Sequence, residues 1–118
     1  MSGEPMIEIE ELHGKTVQML LVRFLMNNIL DDSEVRRLFG LIEDLSFHNL
    51  IMDLGRLNCV SDHFFARLIG VQKRIIKQTG RMVLVIKPGT NLDGVFDVCR
   101  LRANFSTYVT VEEALSSF

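Results

Sequence analysis

Ser61, Asp62 and His63 stand side by side in the stretch "CVSDHFFARLI", Cys59 to Ile69. Those three residue types are the ingredients of nucleophilic catalysis: a hydroxyl to attack, an imidazole to take its proton, a carboxylate to orient the imidazole. Their spacing argues against that use. From Asp62 onward the apolar period is helical, and neighbours in a first helical turn project about a third of a turn apart. A relay needs its side chains to converge through hydrogen bonds. No Gly-x-Ser-x-Gly elbow surrounds Ser61 either. Capping accounts for two of the three without catalysis. Ser61 suits the N-cap, where its hydroxyl accepts a bond from an early helix N–H, worth about 1 kcal/mol. Asp62 in the first turn lies near the positive end of the helix dipole, worth about 0.3–1 kcal/mol when exposed. The remaining alternative is a surface that another protein reads.

His63 is a candidate pH sensor, as any histidine is, though a lone histidine on a first turn is more often a polar surface residue. Phe64 is either core or an apolar anchor for a partner, and partial exposure is expected of it. Asp31, Asp32 and Ser33 resemble a metal loop only superficially, because no spaced carboxylates follow; capping explains them. "KPGTNLDG" places Gly89 and Thr90 before a helix, where an anion could sit, but it lacks the phosphate-loop pattern. Cys59 closes a buried stretch and Cys99 falls on an inward helical face. Both read as small apolar residues. They form neither a disulfide framework nor metal-ligand spacing. No cofactor is expected.

These residues need a scaffold. The chain has 118 residues, 47% apolar and 24% charged, which suits one domain over residues 1–118 with a real core. A formal net charge of −2, with no basic cluster among aromatics, gives no reason to expect nucleic acid as a partner. The opening "MSGEPMIEIEELHG" is acidic and lacks the apolar core of a signal peptide. No apolar stretch approaches a membrane span. A soluble, cytoplasmic protein is the expectation.

Residues 6–11 alternate apolar and acidic, as an edge strand does, and His13-Gly14 supplies a turn. Residues 16–24 form a second strand. Asp31 caps a helix, with Glu34 completing a capping-box variant and Leu30 with Val35 at the staple positions. Its inward face is Val35, Leu38, Phe39, Ile42 and Leu45. Residues 49–54 are apolar enough for a central strand. The helix from Asp62 carries a stripe of Phe65, Leu68, Ile69, Gln72, Ile75 and Ile76, with Gly80 at its stop. Residues 81–87 form a buried strand that Pro88-Gly89 breaks. Thr90 caps a short helix with Leu92, Val95, Phe96 and Cys99 inward. Residues 105–109 form an edge strand. Thr110 with Glu113 is a capping box for the last helix. Alternation of this kind implies α/β architecture: a mixed sheet of about five strands, helices mainly on one face.

The run from Leu50 to Leu115 resembles a STAS domain, the fold of bacterial anti-sigma factor antagonists. "MDL" (Met52 to Leu54) is similar to the family's strand ending in Leu-Asp-Leu. Gly80 follows at the family's distance, and "VEEAL" (Val111 to Leu115) is similar to its closing helix. The starting hairpin fits as well. The resemblance implies a protein-binding switch, not an enzyme. Such domains bind a serine-kinase-type anti-sigma factor until that kinase phosphorylates the first serine of an Asp-Ser-Ser-Gly-Leu motif. Here Ser61 stands at the motif's aspartate and Asp62 at the phosphorylated serine. His63 takes the second serine, and Phe64 the glycine.

A phosphoserine carries about −1.5 to −2 charge and three acceptor oxygens. Asp62 imitates it in part, with one charge and two oxygens. Two outcomes follow: the domain is permanently unable to bind a kinase of the usual sort, or its partner has a cationic group opposite and binding is constitutive. The expected contact surface is Asn58, Ser61, Asp62, His63, Phe64 and Phe65, with Leu92 at the start of the next helix. Two rivals stand beside this reading. One is a sensor of a lipid, nucleotide or anion near the same helix start. The other is a self-associating module, a homodimer through an edge strand or Phe64.

Overall fold

A computed structural model describes residues 7–13, 17–45 and 47–118. Met6, Gly14 and Thr16, expected in the first hairpin, lie outside the described residues. Strand β1 (Ile7–His13) runs antiparallel to β2 (Gln18–Phe24), with Ile7 opposite Phe24. Helix α1 (Asp32–Glu43) leads to β4 (Asn49–Asp53), and α2 (Asp62–Lys77) to β6 (Arg81–Val85). Two short strands precede these helices, β3 (Asn28–Ile29) before α1 and β5 (Cys59–Val60) before α2. Helix α3 (Asn91–Val98), a 3-10 turn (Leu101–Ala103), β7 (Ser106–Tyr108) and α4 (Val111–Ser116) complete the chain. The main sheet has five strands in the order β1-β2-β4-β6-β7, parallel from β2 onward.

Helices α1, α2 and α3 cover one face and α4 the other. That explains why β4 is almost wholly apolar. Leu50 and Met52 enter the larger core while Ile51, between them, enters the smaller one with Met19, Leu21, Val83, Val85 and Ala114. The expected sheet, and helices mainly on one face, are what the chain adopts.

Local differences have local causes. Asp31 does cap α1: its Oδ1 accepts from Ser33 N at 2.9 Å and from Ser33 Oγ at 2.8 Å. Those two bonds, the hydroxyl first, lower the Asp31 carboxyl below its ordinary pKa. Glu34 sits 3.5 Å from Arg37 instead of closing a box. The staple is absent, because Leu30 is 66% exposed. Ile29 is the residue that turns inward from β3, and alternation along the extended chain sends Leu30 out.

The inner stripe of α2 is Phe64, Leu68, Val71 and Ile75, rotated from the expected one. Phe64 lies 5.7 Å from Phe24 and 5.3 Å from Phe39, edge to face. Once Phe64 points in, Ile76 falls on the outside at 60% exposure. The helix ends in a Schellman motif: Gly80 N donates to Ile75 O at 2.8 Å and Thr79 N to Ile76 O at 2.9 Å. The left-handed residue there is Thr79, φ 61°, not Gly80. Glycine is needed at 80 because any Cβ would lie 1.8 Å from the His48 carbonyl oxygen.

Candidate functional site

The site is assembled where β4 ends. Asp53 Oδ1 accepts from Gly55 N at 2.9 Å, and its Oδ2 lies 3.6 Å from Arg23 Nε. These contacts aim the turn that carries the chain to Leu57, which is fully buried. Beyond it, β5 pairs in parallel with β3, Asn28 opposite Cys59 and Ile29 opposite Val60. Backbone bonds extend the pairing on both sides: Asn58 N to Asn27 O at 2.6 Å, Ser61 N to Ile29 O at 2.9 Å. The start of α2 is thereby tied to the segment that precedes α1.

It is tied to α3 as well. Asn58 Oδ1 accepts from Asn91 N at 2.8 Å, satisfying a backbone donor at the start of α3. Asn91 Nδ2 lies 3.1 Å from Cys59 Sγ. Thr90 caps the same helix, its hydroxyl accepting from Asp93 N at 3.1 Å. The N-termini of α1, α2 and α3 therefore meet at one pole of the molecule, at the C-terminal ends of the parallel strands.

Ser61 occupies the N-cap of α2 with extended backbone, φ −75° and ψ 162°. Its carbonyl accepts from Phe64 N at 3.0 Å. Its hydroxyl does not cap the helix, contrary to expectation: Oγ is buried and has no partner. Asp62 is exposed in the first turn. His63 is half-buried, with Nε2 enclosed and unpartnered. Neither Ser61 Oγ nor His63 Nε2 bonds anything, so the three side chains form no serine-histidine-aspartate relay.

Two expected contact residues are core residues. Phe64 is fully buried, because the space between Phe24 and Phe39 takes its ring. Leu92 is 1% exposed and anchors α3 from below, leaving Asn91 as the exposed residue of that helix start. Phe65 is partly buried, 6.0 Å from Phe64 and 5.9 Å from Phe96. Asn58 is exposed. Cys59 is half-buried, whereas Cys99, expected inward, is exposed just past the end of α3.

The sequence reading missed β3 and Asn91. Two residues are too few for a period-2 signal, and the bond between Asn58 and Asn91 joins positions far apart in the chain. Among the described residues no helix is long and apolar enough to cross a membrane.

No protein-family model and no curated sequence matches this chain. Solved structures do. An anti-sigma factor antagonist from Mycobacterium paratuberculosis matches with a TM-score of 0.67 at 18% identity, over 94% of this chain and 92% of that one. The unphosphorylated anti-sigma factor antagonist SpoIIAA matches with 0.63 at 15% identity, over 94% of each. An uncharacterised protein from Shewanella loihica with a SpoIIAA-like fold matches with 0.60 at 14% identity, over 98% and 97%. The chain has the SpoIIAA-like fold, a STAS-like domain.

Proposed function

We propose that this STAS-like chain is a non-catalytic regulator of the cytoplasm that binds an anti-sigma factor of the serine-kinase type. The binding surface is the pole where α2 begins. The observation that carries the reading is the exposed carboxylate of Asp62 at the start of α2, where the sequence resemblance puts the motif's phosphorylated serine. The fold shared with two anti-sigma factor antagonists supports the class of partner. The unbonded Ser61 and His63 speak against catalysis as the use of this pole.

Asp62 gives the surface a charge that no kinase can add and no phosphatase can remove. The partner sets a cationic group opposite Asp62, so that binding is constitutive and charge at this position selects the partner. The test uses purified serine-kinase-type anti-sigma factors from the source organism, with ATP. The wild-type chain should bind one of them and take up no phosphate at residue 62. Asp62→Arg should weaken that binding about tenfold or more, since like charges then face each other. Asp62→Ser should take up phosphate, visible by mass spectrometry. Equal binding by wild type and Asp62→Arg, or no binding to any such factor, would overturn the reading.

A further inference from the structure

We infer that the docking surface extends across the β3–β5 pairing onto residues 27–32, with Leu30 as its apolar anchor. The partner that fits is a protein with an apolar pocket bordered by Lys or Arg. The inference rests on the proposed function and names the chemistry of the partner's side.

Leu30 has no structural task. It is 66% exposed between Ile29, which is 2% exposed, and the cap of α1, and it leaves Val35 unstapled. A single exposed leucine needs no explanation by itself. This one is held in a fixed place. Ile29 O accepts from Ser61 N at 2.9 Å, and Asn27 O accepts from Asn58 N at 2.6 Å. Leu30 is therefore one residue from a backbone bond to the residue that precedes Asp62.

The charge around it has one sign. Residues 27–32 and 58–63 contain Asp31, Asp32 and Asp62, all exposed, and no Lys or Arg; Arg56 stands just outside. An apolar side chain flanked by carboxylates is the reverse of what an anionic partner or a lipid headgroup would select. It complements a pocket with a cationic rim, the arrangement in which an anchor supplies affinity and flanking charges supply rate and selectivity.

The experiment places a benzophenone amino acid at Leu30, at Asp62, or at Ile76, which is exposed at the far end of α2. The probe is the purified anti-sigma factor that binds the wild-type chain. Irradiation should cross-link it from positions 30 and 62, and not from 76. Leu30→Ser should weaken binding about tenfold, as loss of an anchor does, with unchanged thermal stability. Asp32→Lys should weaken it less, by an amount that shrinks as salt rises. Cross-linking from 62 without 30, together with wild-type affinity in Leu30→Ser, would overturn this inference and leave the proposed function standing. Cross-linking from neither would overturn both.

Discussion

The starts of α2 and α4 both place a hydroxyl residue at the N-cap and are built differently. At α4, Thr110 Oγ1 accepts from Glu113 N at 3.1 Å and Glu113 Oε1 accepts from Thr110 N at 3.2 Å, so the capping box is closed. At α2, Ser61 holds the cap position, yet its hydroxyl is enclosed without a partner and His63 Nε2 is in the same condition. One end is finished within the chain; the other leaves early N–H donors of a sixteen-residue helix without a side-chain cap. Unsatisfied polar groups cost stability, and proteins keep them mainly where function needs them. The difference teaches that α2 is held by what lies beneath it and beside it, the Phe64 ring and the β3–β5 pairing, not by its own cap.

The sharpest way to break that comparison is to remove the support. Phe64→Ala should cost about 3–5 kcal/mol, the usual range for a buried phenylalanine. The ring packs against Phe24, Phe39 and Phe65, so the cavity would open between α1, α2 and the sheet. Urea unfolding measures this. A loss below about 1 kcal/mol would mean the ring is not in the core, and Phe64 would return to the surface as a contact residue.

The order of strands and helices was legible in the sequence because each long element carries its own period. The Thr110–Glu113 box was legible because a cap is a local bond between residues three apart. Phe64 was not. Phe64 and Phe65 are adjacent, and a helical stripe accommodates either; the shape of the Phe24–Phe39 gap, a tertiary fact, decides. Cys99 was misplaced because α3 ends at Val98, so the period was extended past the helix. Of the candidate site, the exposure of Asp62 was legible from its place in a first turn. The contribution of residues 27–30 was not, since it depends on a two-residue strand pairing across the chain.

A middle-sized effect sharpens the contrast between the two caps. Thr110→Ala should cost about 1 kcal/mol, because it removes a made bond. Ser61→Ala should stay within about 0.5 kcal/mol of wild type, because it removes a hydroxyl that bonds nothing. Equal losses in denaturant unfolding would show that Ser61 does cap α2 in solution, and the two helix starts would then be alike.

The smallest effect compares α1 with both. Asp31 closes its helix with a charged group, and bonds from the Ser33 hydroxyl and N–H hold its carboxyl below the ordinary pKa. Its folded pKa is thus depressed relative to the unfolded chain. The stability this adds is present above the unfolded value, about 3.9, and is lost as pH falls through the folded value. Asn also caps well but does not titrate there. The melting temperatures of wild type and Asp31→Asn should therefore differ by a constant amount near neutral pH and converge in acid. The group is fully exposed, so the gap should be small, and added salt should shrink it. A gap that stays flat down to about pH 2 would mean the carboxylate gains nothing from Ser33, and α1 would join α2 as a helix without an effective side-chain cap.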